Sequence, residues 1–88
     1  MMKFEWRTHE GWSDRPAYTL YLVNKGRPFR EMGTLIELSR AWRIREYGTN
    51  DLYWLDKDLS LAPSQRVEEA QRAAKLFLCV GRGGVGRQ

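Results

Sequence analysis

The chain has 88 residues, a net charge of +4, 42% hydrophobic and 30% charged residues, and one cysteine, Cys79. That length supports one domain. A single cysteine excludes an internal disulfide framework, and no apolar run approaches the roughly 20 residues a membrane-spanning helix needs. A secreted domain this small would usually need disulfides, so the cytoplasm is the expected location and no membrane is expected as a partner. Met1-Met2-Lys3-Phe4-Glu5-Trp6 has no apolar signal-peptide core. The four Trp, four Tyr and three Phe offset the thin core of a short chain, since each buries a large area.

In chain order, Lys3 to Arg7 alternates, with Phe4 and Trp6 on one side and Lys3, Glu5 and Arg7 on the other, which predicts a strand with one buried face. Thr8 to Pro16 reads as a polar loop. Ala17 to Asn24 is rich in β-formers, with Tyr18, Leu20 and Leu22 opposite Thr19, Tyr21 and Val23, the pattern of a central strand. Asn24-Lys25-Gly26-Arg27-Pro28 supplies a turn, in which Asn24 and Gly26 tolerate positive φ. Phe29 to Leu38 is the next strand. Met32, Thr34, Ile36 and Leu38 are expected to face inward, and Glu31, Gly33, Leu35 and Glu37 outward. Ala41 to Tyr47 follows, with Trp42 and Ile44 inward and Arg43, Arg45 and Tyr47 outward. Leu52 to Leu55 is either a short fifth strand or an irregular apolar plug.

Ser64 to Val80 reads as one amphipathic helix. Ser64 is the expected N-cap and Gly81 the stop. Val67, Ala70, Ala74, Phe77 and Leu78 form one apolar stripe. Val67, Ala74 and Phe77 should then bury against Trp42, Ile44 and Ile36. Strands first and one helix last predict an α+β fold: a four- to five-stranded, mostly antiparallel sheet packed on one C-terminal helix. The domain is expected over residues 1–81, with 82–88 a flexible Gly/Arg tail.

Motifs for catalysis are scarce. Gly81-Arg82-Gly83-Gly84-Val85-Gly86 spells G-x-G-x-x-G, but a dinucleotide site needs a strand before it and a helix after it. His9, Glu10 and Asp14 fall short of a zinc set. Asp56-Lys57-Asp58 lacks the glycine and distal glutamate of a calcium loop, and reads as a solvated loop. Cys79 lies at a helix C-terminus, where the dipole disfavours a thiolate. The expectation is therefore no enzyme, no cofactor and no metal.

Binding has more to stand on. Lys25, Arg27 and Arg30 cluster at one hairpin, and Trp12 stands in a polar loop without apolar neighbours. Trp and Arg are enriched in interface hot spots. Trp12 is either an interface anchor or a lid over a sheet edge. The outer sheet face is expected to show Lys3, Glu5, Arg7, Thr19, Tyr21, Glu31, Leu35, Glu37, Arg43, Arg45 and Tyr47. Cross-strand Glu–Arg pairing is the simple account of that face. An open platform for nucleic acid is the alternative.

With strands, compact loops, a closing helix and no catalytic set, the chain from Phe4 to Val80 resembles the small accessory proteins of phages and other mobile elements, including anti-CRISPR and anti-restriction proteins. The resemblance is one of architecture, and no residue carries over from it. It implies a non-enzymatic, stoichiometric inhibitor of a larger protein or nucleoprotein. The alternative is a small nucleic-acid-binding protein using the basic hairpin tip and the open sheet face.

Overall fold

The computed structural model describes residues 2–9, 15–49 and 51–81. Five strands, β1 (Met2–His9), β2 (Ala17–Asn24), β3 (Arg27–Glu37), β4 (Ala41–Glu46) and β5 (Leu52–Asp56), are followed by one helix, α1 (Pro63–Leu76). The strands form one antiparallel sheet in chain order, each bonded to its sequence neighbour. The α+β reading is correct, with five strands. No helix among the described residues is long and apolar enough to cross a membrane. Trp12 and the 82–88 tail lie outside the described residues.

Helix α1 covers one face of the sheet. Its Ala70 and Ala74, with Leu78 just beyond it, bury against Leu20, Leu35, Trp42 and Ile44, and Phe4, Trp6, Tyr18, Tyr53 and Leu55 pack around them. The two alanines lack bulk, so the helix axis comes close to the strands. Phe77 meets Tyr53, ring centroids 4.6 Å apart. The apolar stripe read from the sequence is thus the one that docks.

Two details of the helix differ from expectation. Ala62, not Ser64, is the N-cap, because Pro63 occupies the first helical position, where its missing N–H costs nothing. Gln65 Oε1 accepts from the Ala62 N–H at 3.2 Å, so one free donor is satisfied from inside the helix. At the other end the chain widens into a π turn over Phe77–Gly81.

The facing of β3 is a correction. Leu35 and Gly33 lie on the helix face, opposite Ile44 and Glu46, whereas Thr34 and Ile36 lie on the other. The cause is the register shift against β2 between Leu20 and Tyr21; a second, between Leu22 and Val23, lies nearer the hairpin. Each bulge adds one residue and reverses the alternation. Met32 falls at the first and still packs inward, so strict period-2 counting from it misassigns the next five residues. Leu35, not Ile36, therefore meets the helix.

Gly33 explains how the helix end fits. A Cβ there would stand 2.6 Å from the Arg45 carbonyl oxygen and 2.8 Å from Leu78 Cδ2. Only glycine leaves room for Leu78. At the β2–β3 hairpin both Lys25 (φ 54) and Gly26 (φ 80) are left-handed, as a two-residue type I′ turn requires. Lys25, not Asn24, is the non-glycine residue that adopts positive φ.

Candidate binding face

The face of the sheet away from α1 can be read row by row, because directly paired residues share a face. One central row is Arg7, Thr19, Thr34, Arg45 and Leu52. The next contains Ala17, Ile36, Arg43 and Trp54. These two rows carry three arginines and no carboxylate. The acids of the face stand in the flanking rows: Glu5 and Glu31 beside Tyr21, and Asp56 beside Ala41.

Ala17, Thr19, Val23 and Ile36 are buried on this face although no helix of the described residues covers it. They belong to the inner strands β2 and β3. Around them the surface is aromatic and cationic. Trp54 is 61% exposed and Leu52 43%. Arg45 is exposed and Arg43 half-buried. The Arg7 guanidinium lies 5.7 Å from the Tyr21 ring centroid and its Nε is 3.0 Å from Glu5 Oε2, so Glu5 is neutralised within its own strand.

Two polar atoms of the central rows, Thr19 Oγ1 and Arg43 Nε, are buried with no hydrogen-bond partner among the described residues. A buried polar group left unpaired costs roughly 1–3 kcal/mol. Among the described residues the Arg43 Nε–H is therefore a donor without an acceptor.

The residues singled out from the sequence do not form one patch. Arg43 and Arg45 do lie on the open face as expected. Arg27 and Arg30 pair with Asn24 and Leu22, positions of the opposite face, out along the β2–β3 hairpin. Lys25 is in the turn itself, exposed like both arginines. Tyr47 follows β4, 63% exposed, and its N–H donates to the Met32 carbonyl at 3.1 Å. Thr19 is buried rather than displayed, and Leu35 and Glu37 are on the helix side. The expected Glu–Arg neutralisation of the face loses Glu37 as a result.

Trp54 was missed by the sequence reading. Counting back by twos from Asp56 places Trp54 and Leu52 on the solvent side, so the aspartate was the available signal.

Elsewhere, a cleft of about 220 Å³ opens between α1 and β5, its lining including Trp42, Leu55, Asp58, Arg66 and Glu69. Hydrogen bonds from the Ser60 hydroxyl and N–H, at 2.6 and 3.0 Å, hold the Asp58 carboxyl below the usual carboxylate range. An ionised acceptor of this kind has no proton to give at neutral pH. Burial pushes the Cys79 thiol up, against a smaller opposing pull from Lys75, which keeps it protonated and a poor nucleophile. Among the described residues no group of three His, Cys, Asp or Glu side chains is placed to hold a metal ion.

No protein-family model matches the chain, and no curated protein or solved structure matches it either.

Proposed function

We propose that the chain is a non-enzymatic binding protein that docks on a larger protein or nucleoprotein through its open sheet face. One observation carries this reading: the two central rows join three arginines to an exposed tryptophan with no carboxylate between them. Arg and Trp are the side chains that most often dominate binding energy at interfaces. A sheet anchored from behind by a helix holds them rigidly, which lowers the ordering cost of binding. The partner surface is anionic.

A module of this kind acts by occupancy, as a stoichiometric inhibitor or adaptor, and its natural setting is the cytoplasm. That mode is also what the architectural resemblance to phage-borne accessory proteins implies. The exposed Lys25, Arg27 and Arg30 are separate from the face and serve encounter, since peripheral charges chiefly raise association rates.

The test is affinity capture from lysate, run with and without nuclease, using the immobilised chain and a Trp54→Ala/Arg45→Glu variant, melting temperatures being matched first. A partner held at one-to-one stoichiometry by the parent and released by the variant supports the reading. Equal retention by both refutes it.

A further inference from the structure

We infer that the open face seats a single-stranded nucleic acid, with Arg43 and Arg45 on its phosphates and Trp54 stacked on a base. This rests on the reading of that face as the binding surface and names its partner. Three features select it. The first is charge complementarity: Arg43 and Arg45 stand in rows without a carboxylate, Glu31 and Asp56 are confined to the flanking rows, and Glu5 is tied to Arg7. A polyanion meets no repulsion until the flanking rows.

The second is the kind of aromatic surface. Trp54 is 61% exposed on β5, an edge strand, with Arg43 paired beside it on β4. A protein anchor of this size is usually ringed by apolar neighbours that exclude water. Here Leu52 is the one exposed aliphatic side chain of the two rows. Alternating guanidinium and indole groups instead suit the backbone and base faces of an unpaired strand. Duplex bases, being stacked already, offer the indole no π-face, which excludes a regular double helix as the ligand.

The third is reach. From Arg7 on β1 to Trp54 on β5 the face runs four strand spacings across and two residues along, roughly 20 Å diagonally. Arg45 and Arg43 lie along that diagonal. Such a track accepts about four nucleotides, the lower end of single-strand site sizes.

The probe is a fluorescently labelled 12-mer of thymidylate, measured by anisotropy from 20 to 200 mM salt, with a 12-base-pair duplex as comparator. Two phosphate contacts predict a log–log salt slope of about −1.4. Arg45→Ala should reduce the slope by about 0.7, whereas Arg72→Ala, on the exposed side of α1, should leave it unchanged. Trp54→Ala should weaken binding by about 5- to 150-fold with the slope intact. Preference for the duplex, absence of binding at 20 mM salt, or insensitivity to Arg45→Ala each overturns the inference. A photo-crosslinking phenylalanine analogue at position 54, activated in lysate, separates the two levels of argument. An adduct destroyed by nuclease supports the nucleic acid. A nuclease-resistant protein adduct overturns the nucleic acid and keeps the binding face, and no adduct overturns both.

Discussion

The Lys57 ammonium lies 2.6 Å from the Glu37 carboxylate. The same nitrogen donates to the Leu38 carbonyl at 2.8 Å and stands 5.6 Å from the Trp42 ring centroid. The segment leaving β5 is thereby fastened to the far end of β3, over the largest buried side chain of the core. Lys57 keeps only 7% side-chain exposure and Glu37 22%, so the pair is largely withdrawn from water. The Glu37 charge is also felt by Tyr18, whose hydroxyl is raised above the ordinary phenol range first by burial and then by that carboxylate.

Lys57→Met should destabilise the fold by about 2–3 kcal/mol, somewhat below the cost of breaking a fully buried pair because Glu37 retains some solvent. Urea denaturation measures it. Adding Glu37→Gln should recover part of the loss, since the orphaned carboxylate is then neutral. A double variant no more stable than Lys57→Met would show that the loss is one of contact rather than charge.

Gly33→Ala should cost about 1–3 kcal/mol, the range for forcing bulk into a filled site. The two neighbours differ in kind: Leu78 can turn aside, but the Arg45 carbonyl is backbone. Combining Gly33→Ala with Leu78→Ala should therefore relieve only part of the penalty, and a thermodynamic cycle over the four proteins measures how much. Complete relief would place the clash on Leu78 alone.

Thr19→Val should be neutral or stabilising by up to about 1 kcal/mol, because the hydroxyl is buried without a partner and valine has nearly the same shape. Thermal unfolding of the two proteins decides it. A loss above about 1 kcal/mol would mean that the hydroxyl is satisfied in solution.

Cys79 should be alkylated slowly at neutral pH in the native state and quickly after unfolding. Its raised folded-state value favours the protonated thiol. The associated stability is complete below the unfolded thiol's pKa and is lost as pH rises through the folded one. Iodoacetamide labelling against pH, native and in urea, checks the sign: the native curve must lie to higher pH.

Where composition or period was distinctive over a whole element, the sequence was legible. Ala17–Asn24 is the strand expected, and Val67, Ala70, Ala74, Phe77 and Leu78 form the docked stripe. Legibility failed in β3, where Leu35 and Ile36 are adjacent and equally apolar, so alternation alone cannot orient them. The bulge that decides the matter is a property of the pairing with β2, not of the strand. Gly33 was misleading in the same way, since a residue without a side chain marks the place where Leu78 needs room. Lys57 read as part of a solvated loop because its partner is twenty positions away, a relation that only folding creates. Of the binding face, Arg43 and Arg45 were legible from period-2 counting, whereas Trp54 was hidden in a run of four apolar residues.

The strand order β1-β2-β3-β4-β5 has a consequence for biosynthesis. Each hairpin can close as soon as its second strand has been made, with little loop entropy to overcome. The cover for Leu20, Leu35, Trp42 and Ile44, however, is encoded after all five strands, in Pro63–Leu76 and the turn beyond it. At a translation rate of about 5–20 residues per second, the 14 residues of the helix take about one to three seconds to make. Through that interval the finished sheet presents its apolar side to the cell, and the helix docks on a surface already built to receive it.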